Sequence, residues 1–333
     1  MIIELKKNTD KKFAETASKE LSAIMVETKT STVLVTPSKL KKLDEKFQAI
    51  AEKVIVTEDD IQLAGKKYLS QTRQIKLAEN ICIGGKTTNT VVITGPCSVE
   101  SEEQITMSAE LCISLGVKIL RAGAFKPRTS PYSFQGMGME GLILLKKIGK
   151  KFGLKIITEV RDSTHVNDII EFADIIQIGA KSMYDHGILK SCAKAKKPVL
   201  LKRGFGTTLQ EFVQAAEFIL SGGNENVILC ERGIRTFETK TRFTLDLCGV
   251  SYLKEFTNLP VILDPSHAIG YAYGVPDLAR ACMAMGVEGL LIETHPDPSV
   301  AKSDASQQLN HQQFSELYQS LKPIAAAVGR NLI

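Results

Sequence analysis

A chain of 333 residues, 44% hydrophobic and 24% charged, has room for one large domain of roughly 250 residues plus a small second one, with the composition of an ordinary globular protein. A mild net charge of +5 with lysines spread along the chain favours anionic small molecules over nucleic acid, and the absence of Trp with only 6% aromatics argues against base-stacking platforms. No apolar stretch reaches the roughly 18 residues of a membrane span, Met1-Ile2-Ile3-Glu4-Leu5-Lys6 lacks a signal-peptide pattern, and the seven cysteines form no CxxC pair, so a cytoplasmic protein with reduced thiols and no membrane partner is expected.

In chain order, residues 2–5 read as a strand, 10–24 as a helix, 25–28 and 32–36 as strands around a turn, 38–52 as a helix and 54–57 as a strand. That βαββαβ order is the split ferredoxin-like motif. It predicts a small α+β domain over residues 1–65, either an accessory or oligomerisation element or a ligand-sensing module. Residues 61–76 read as a linker. Residues 74–82, ending at Gly84-Gly85, read as a hairpin closing the bottom of the domain that follows, which is assigned residues 66–333.

That larger domain shows eight short apolar runs, each leading into charged or metal-ligating residues. They are residues 91–94 before Cys97, 118–120 before Arg121, 155–157 before Glu159 and Arg161, and 175–177 before Lys181. The remaining four are 199–201 before Lys202-Arg203, 227–229 before Cys230 and Arg232, 261–263 before Asp264 and His267, and 290–292 before Glu293 and His295. The segments 101–115, 139–152, 207–220 and 275–285 carry helical apolar spacing. Ser101 and Thr207-Thr208 with Glu211 mark helix starts; Gly116, Gly153 and Gly286 mark stops. Alternating strands and helices predict a (β/α)8 TIM barrel, in which all strand C-termini meet on one face. The rival, an open doubly wound sheet, places a Gly-rich turn after its first strand. Gly136-Met137-Gly138-Met139-Glu140-Gly141 formally fits GxGxxG, but it follows the second strand behind a basic loop and reads as a loop feeding a helix.

Cys97, His267, Glu293 and Asp304 combine a thiolate, an imidazole and two carboxylates. If the barrel brings them together, the mixed set suits Mn²⁺, Fe²⁺, Co²⁺ or Zn²⁺ and leaves an exchangeable position. The plain alternatives are a buried Cys97 and a hydrogen-bonded loop His267. His295, Cys230 and Asp264 are read as outer supports or ordinary loop residues. Arg121, Lys126, Arg128, Arg161, Lys181, Lys202, Arg203, Arg232 and Arg235 crowd the same predicted face. Such crowding calls for anions, and phosphate is the natural partner of arginine forks and lysine point charges. No G-x-x-x-x-G-K-[ST] loop is present, which argues against nucleotide-driven phosphoryl transfer.

The runs Gly95-Pro96-Cys97-Ser98-Val99-Glu100-Ser101, Arg121-Ala122-Gly123-Ala124-Phe125-Lys126-Pro127-Arg128-Thr129-Ser130-Pro131, Asp264-Pro265-Ser266-His267, Ile292-Glu293-Thr294-His295 and Lys302-Ser303-Asp304 resemble 3-deoxy-D-arabino-heptulosonate 7-phosphate (DAHP) synthases, in the family's order and from about residue 72 onward. The N-terminal module is similar in layout to the regulatory extension of one branch. The sister 3-deoxy-D-manno-octulosonate 8-phosphate synthases typically carry Lys-Ala-Asn-Arg-Ser where this chain has Lys126-Pro127-Arg128-Thr129.

The resemblance implies condensation of phosphoenolpyruvate with erythrose 4-phosphate, the opening step of the shikimate pathway. It implies a metal held by Cys97, His267, Glu293 and Asp304. Phosphoenolpyruvate would be gripped by Arg121, Lys126, Lys181 (beside Ala180), Lys202 and Arg232, and the aldose phosphate by Lys126, Pro127, Arg128 and Thr129. Lys126 would serve as general acid. Glu159 would orient or deprotonate the attacking water, its plain alternative being a rim ion-pair partner. One departure is Lys181-Ser182 where the branch usually has Arg-Asn, trading a fork for a point charge. A homotetramer with feedback inhibition by tyrosine or phenylalanine is also expected. Competing readings are the octulosonate synthase, a metal-dependent aldolase on the same barrel, and a non-enzymatic amino-acid sensor.

Overall fold

The protein is described here by a computed structural model covering residues 1–126 and 130–333. The N-terminal part contains β1 (Ile2–Leu5), α1 (Lys11–Glu20), β2 (Ile24–Glu27), β3 (Thr32–Val35), α2 (Glu45–Gln48) and β4 (Ala51–Ile55). Its strands form an antiparallel sheet in the order β2-β3-β1-β4. The expected helix over residues 38–52 shrinks to the single turn α2. Pro37 opens a turn closed by the Leu40 N–H, Asp44 caps α2, and β4 already begins at Ala51. Leu43 and Phe47 remain buried, and their four-residue spacing is what imitated a longer helix.

Alternate residues of β1 serve two cores. Ile3 and Leu5 pack with Ala14, Ala17, Leu34 and Phe47, whereas Ile2 joins Val26 and Val33 in the large core that also contains Phe212 and Ala216 of the barrel. The sheet is therefore covered by its own helix on one side and by the barrel on the other.

The hairpin β5 (Ile75–Ala78) and β6 (Ile81–Ile83) forms as expected. The parallel strands β7 (Asn89–Gly95), β8 (Ile119–Arg121), β9 (Lys155–Val160), β10 (Ile175–Ile178), β11 (Val199–Lys202), β12 (Val227–Glu231), β13 (Val261–Leu263) and β14 (Gly289–Glu293) pair in sequence order, and β14 pairs back onto β7 with Glu293 opposite Gly95. The barrel is closed. A short β15 (Asn331–Leu332) adds to the start of β7. Ile93, Ile119, Ile157, Leu200, Ile228, Ile262 and Leu291 fill the interior together with Ile75, Leu77 and Ile83, so the hairpin plugs the bottom. Their neighbours Val92, Leu120, Ile156, Leu201, Leu229 and Leu290 face the surrounding helices. Burial on both faces explains the near-continuous apolar runs.

Those helices are α3 (Glu102–Leu115), α4 (Gly138–Phe152), α5 (Val166–Phe172), α6 (His186–Lys194), α7 (Leu209–Ser221), α8 (Leu247–Phe256), α9 (Pro265–Ile269), α10 (Val275–Ala284) and α11 (His311–Ala327). The Ser101 hydroxyl caps α3, and Thr208 with Glu211 forms a capping box on α7. Gly116 and Gly153 end α3 and α4 in the left-handed region, at φ 77° and 67°. The segment around Gly136 leads into α4 with no dinucleotide fold around it.

The small sheet sits beside α7 and the 224–226 turn, at the N-terminal end of β12 and away from the strand C-termini. The Glu217 carboxylate on α7 accepts the Gln62 and Ala64 N–H groups, both at 2.7 Å, and the Glu225 carboxylate accepts the Lys29 N–H at 2.8 Å. Arg73 bonds Asn258, Glu225 and the Leu63 carbonyl, which fastens the linker to the barrel.

Candidate functional site

At the C-terminal mouth, Cys97 follows β7, Glu293 ends β14, and Asp304 lies in the loop beyond. One ligand atom from each falls within 4.8 Å of the other two. Cys97 and Glu293 are fully buried. The His267 ring on α9 stands beside them, with Nε2 3.5 Å from a Glu293 oxygen and Nδ1 2.7 Å from Asp264. Closure of β14 onto β7 is what unites residues some two hundred positions apart. Burial, then the Glu293 carboxylate, pushes the Cys97 thiol up to about 12, so its thiolate requires a close cation. Asp304, despite burial, is held well below the usual carboxylate range by His267 and Arg242. A thiol, two carboxylates and an imidazole with its far nitrogen fixed by a carboxylate fit a divalent transition metal.

Cations border this cluster. Arg121 pairs with Glu293, and Lys126 Nζ lies 3.0 Å from Cys97 Sγ and 2.9 Å from the Cys97 carbonyl. Burial pulls the Lys126 pKa down, but Cys97 and Glu159 outweigh it and leave the pKa raised. Lys126 therefore stays protonated and has a proton to give. Lys126, Glu159, Ala180, Lys181, Lys202, Arg232, His267 and Asp304 all line one pocket, with Phe205, Arg242 and Phe243 completing its wall. Arg232 lies over the Phe243 ring at 4.2 Å. Glu159 accepts a 2.6 Å hydrogen bond from Gln177, its register partner on β10.

Several expectations need correction. Arg203 does not face the pocket: it is buried against Glu231 at 2.9 Å and Asp246 at 2.8 Å. Arg161 lies half-exposed beside Asp162, and Arg235 stacks on Phe205. Lys202 and Arg121 are already met by Asp264 and Glu293, so the protein's own carboxylates balance part of the charge that seemed to demand outside anions. Of the two readings of Asp264, the contacts fit the outer support, since it caps α9 and bridges Lys202 to His267. Cys230 belongs to the barrel interior. Pro127, Arg128 and Thr129 lie outside the described residues.

Sequence reasoning passed over Arg242, which reaches Asp304 and Gln307, and Gln307, which donates 2.5 Å to Glu293. It also passed over Gln308, whose side chain accepts the Cys97 N–H. The adjacent amides Gln307-Gln308, just after Asp304, were the one available signal.

Residues 53–328 match the DAHP synthetase I family. The chain belongs to that family. It is 42% identical over 287 residues to the phospho-2-dehydro-3-deoxyheptonate aldolase of Thermotoga maritima, covering 86% of this chain and 84% of that one. It is 34% identical over 251 residues to a 2-dehydro-3-deoxyphosphooctonate aldolase of Magnetococcus marinus, covering 70% and 86%. The crystal structure of the Thermotoga maritima DAHP synthase superimposes with a TM-score of 0.80 at 37% identity, covering 100% of this chain and 99% of that one. A truncated form of the same enzyme gives 0.76 at 39%, covering 81% and 98%. Membership of this family makes the protein an enzyme of the aldolase-like transferase type. No helix among the described residues is long and apolar enough to cross a membrane.

Proposed function

We propose that the protein condenses phosphoenolpyruvate with erythrose 4-phosphate to give DAHP and inorganic phosphate. The observation that carries this reading is the joining, in one mouth, of a Cys97–Glu293–Asp304 trio, its first two members buried and Asp304 half-buried, with a pocket lined by Lys126, Lys181, Lys202 and Arg232. The phosphoheptonate relative, with higher identity and a larger share of this chain matched than the phosphooctonate one, supports the four-carbon aldose.

Cys97, His267, Glu293 and Asp304 would hold a divalent ion such as Mn²⁺, Fe²⁺, Co²⁺ or Zn²⁺. Bound there, it supplies Lewis acidity toward an oxygen that gains negative charge. Lys202, Arg232, Arg121 and Lys181 bind the phosphate and carboxylate of phosphoenolpyruvate. Its enol carbon attacks the aldehyde, and Lys126 donates a proton to the new alkoxide. Glu159, oriented by Gln177, takes a proton from water adding at the second carbon, and phosphate leaves by C–O cleavage. Arg128 and Thr129 take the aldose phosphate. The direct check is chelation: EDTA should abolish turnover, Mn²⁺ or Co²⁺ should restore it, and restoration should fail in His267→Ala. Full turnover by rigorously metal-free protein would contradict the metal reading.

Residues 1–65 form, on this reading, a feedback domain responding to tyrosine or phenylalanine in a homotetramer. Its sheet lies away from its own barrel mouth, so any action on a mouth must pass between neighbouring subunits or require movement. Assays of the full chain and of a chain starting near Gln71 with each amino acid separate sensing from assembly. If the full chain ignores both, the domain is architectural.

A further inference from the structure

Asp304 adopts φ 50°, ψ 39°, the left-handed region that a non-glycine residue occupies only when its surroundings hold it there. Four hydrogen bonds bracket it. The Glu100 Oε1 atom accepts the Lys302 N–H at 3.0 Å, two residues before Asp304, and the Ser98 hydroxyl at 2.9 Å, one residue after Cys97. Gln308 accepts the Cys97 N–H at 3.0 Å and donates to the Ser303 carbonyl at 2.8 Å. Glu100 and Gln308 thus each tie the loop carrying Cys97 to the loop carrying Asp304. Behind Glu100 stands His295, 3% exposed, whose Nε2 is 3.6 Å from the other Glu100 oxygen. The Asp297 N–H bonds His295 Nδ1, which leaves the hydrogen of the neutral ring on Nε2, facing Glu100.

We propose that Glu100, backed by His295 and working with Gln308, is a positioning clamp. It fixes the left-handed turn at Asp304 and so sets the distance between the Asp304 carboxylate and Cys97 Sγ, 3.3 Å here. None of the three side chains belongs to the predicted ligand set: Glu100 acts through Ser98 and Lys302, the neighbours of Cys97 and Asp304 in the chain, Gln308 through the Cys97 N–H and the Ser303 carbonyl, and His295 through Glu100. The inference rests on the metal reading above. Outer contacts of this kind are worth about 10–100-fold in metal affinity.

The test titrates purified metal-free full-length protein with Co²⁺, following the thiolate-to-Co²⁺ absorption band and calorimetric affinity. Glu100→Ala should weaken Co²⁺ binding by about 10–100-fold. Glu100→Gln keeps an oxygen for Lys302 and Ser98 and should recover most of that loss. Gln308→Glu, near-isosteric, keeps the acceptor for Cys97 but loses the donor to Ser303, and should weaken binding also. A purely structural role would lower the melting temperature and leave affinity alone. Wild-type affinity in Glu100→Ala or in Gln308→Glu, or no recovery in Glu100→Gln, would overturn the clamp while the metal site stands. Absence of the thiolate band in the wild-type protein would overturn the metal reading and the clamp with it.

Discussion

Gly179 approaches Glu159 so closely that a Cβ on it would lie 2.2 Å from a Glu159 carboxylate oxygen. Gln177, two residues earlier in β10, holds the other oxygen. The carboxylate is therefore fixed from two sides at the edge of the pocket. Gly179→Ala should displace it and lower kcat with little change in the KM for phosphoenolpyruvate. Glu159→Gln should cost about 10²–10⁴-fold in kcat, the range for a positioned acid or base. Steady-state kinetics decide, and a Glu159→Gln enzyme within twofold of wild type would return Glu159 to the rank of a structural residue.

Asp264 bridges Lys202 at 2.5 Å and His267 Nδ1 at 2.7 Å. Asp264→Asn removes the charge that orients both groups. Metal affinity should fall about 10–100-fold, and the KM for phosphoenolpyruvate should rise as Lys202 loses its anchor. Unchanged values for both would show that the ring and the ammonium hold their places unaided.

Arg232→Ala and Lys202→Ala should raise the KM for phosphoenolpyruvate and lower kcat, each costing roughly 2–5 kcal/mol in kcat/KM because a buried anion loses its partner. Lys181→Arg restores a fork at the pocket wall and should be tolerated or mildly favourable. An Arg232→Ala enzyme with wild-type kinetics would remove Arg232 from the substrate site.

The linker supplies a pH test. Burial pushes the Glu217 carboxyl from 4.5 up to about 7, against the lowering effect of the backbone N–H groups it accepts. A raised folded-state value means that the protonated form is favoured on folding. The contribution is complete below about 4.5 and is lost as pH rises through about 7. Between pH 5 and 8 the melting temperature should therefore fall more in wild type than in Glu217→Gln, which stays neutral throughout. Parallel curves would show that the linker bonds keep Glu217 ionised.

The barrel was legible because its strands, buried on both faces, read as apolar runs that stop at charged residues. The caps at Ser101 and Thr208 could be read one by one. Side-chain direction was harder. Lys202 and Arg203 are adjacent and looked equivalent, yet Lys202 ends β11 and Arg203, the next residue along the extended chain, points the other way. Lys202 enters the pocket, and Arg203 meets Glu231 and Asp246. Asp246 lies on a later loop, and nothing local announces that pairing. Arg242 and Gln307 act on the site through contacts made only once the barrel closes. In the small sheet, Leu43 and Phe47 kept helical spacing although their backbone is mostly turn, since burial alone does not require a helix.

Condensation of phosphoenolpyruvate with a four-carbon aldose phosphate is decided by one assay. Purified protein with Mn²⁺ and phosphoenolpyruvate is given either erythrose 4-phosphate or arabinose 5-phosphate, and both phosphate release and the 3-deoxy sugar acid are measured. Rapid, stoichiometric product is expected with erythrose 4-phosphate and little with arabinose 5-phosphate. Preference for arabinose 5-phosphate would move the protein to the octulosonate reaction, and equal silence with both would rule out the condensation.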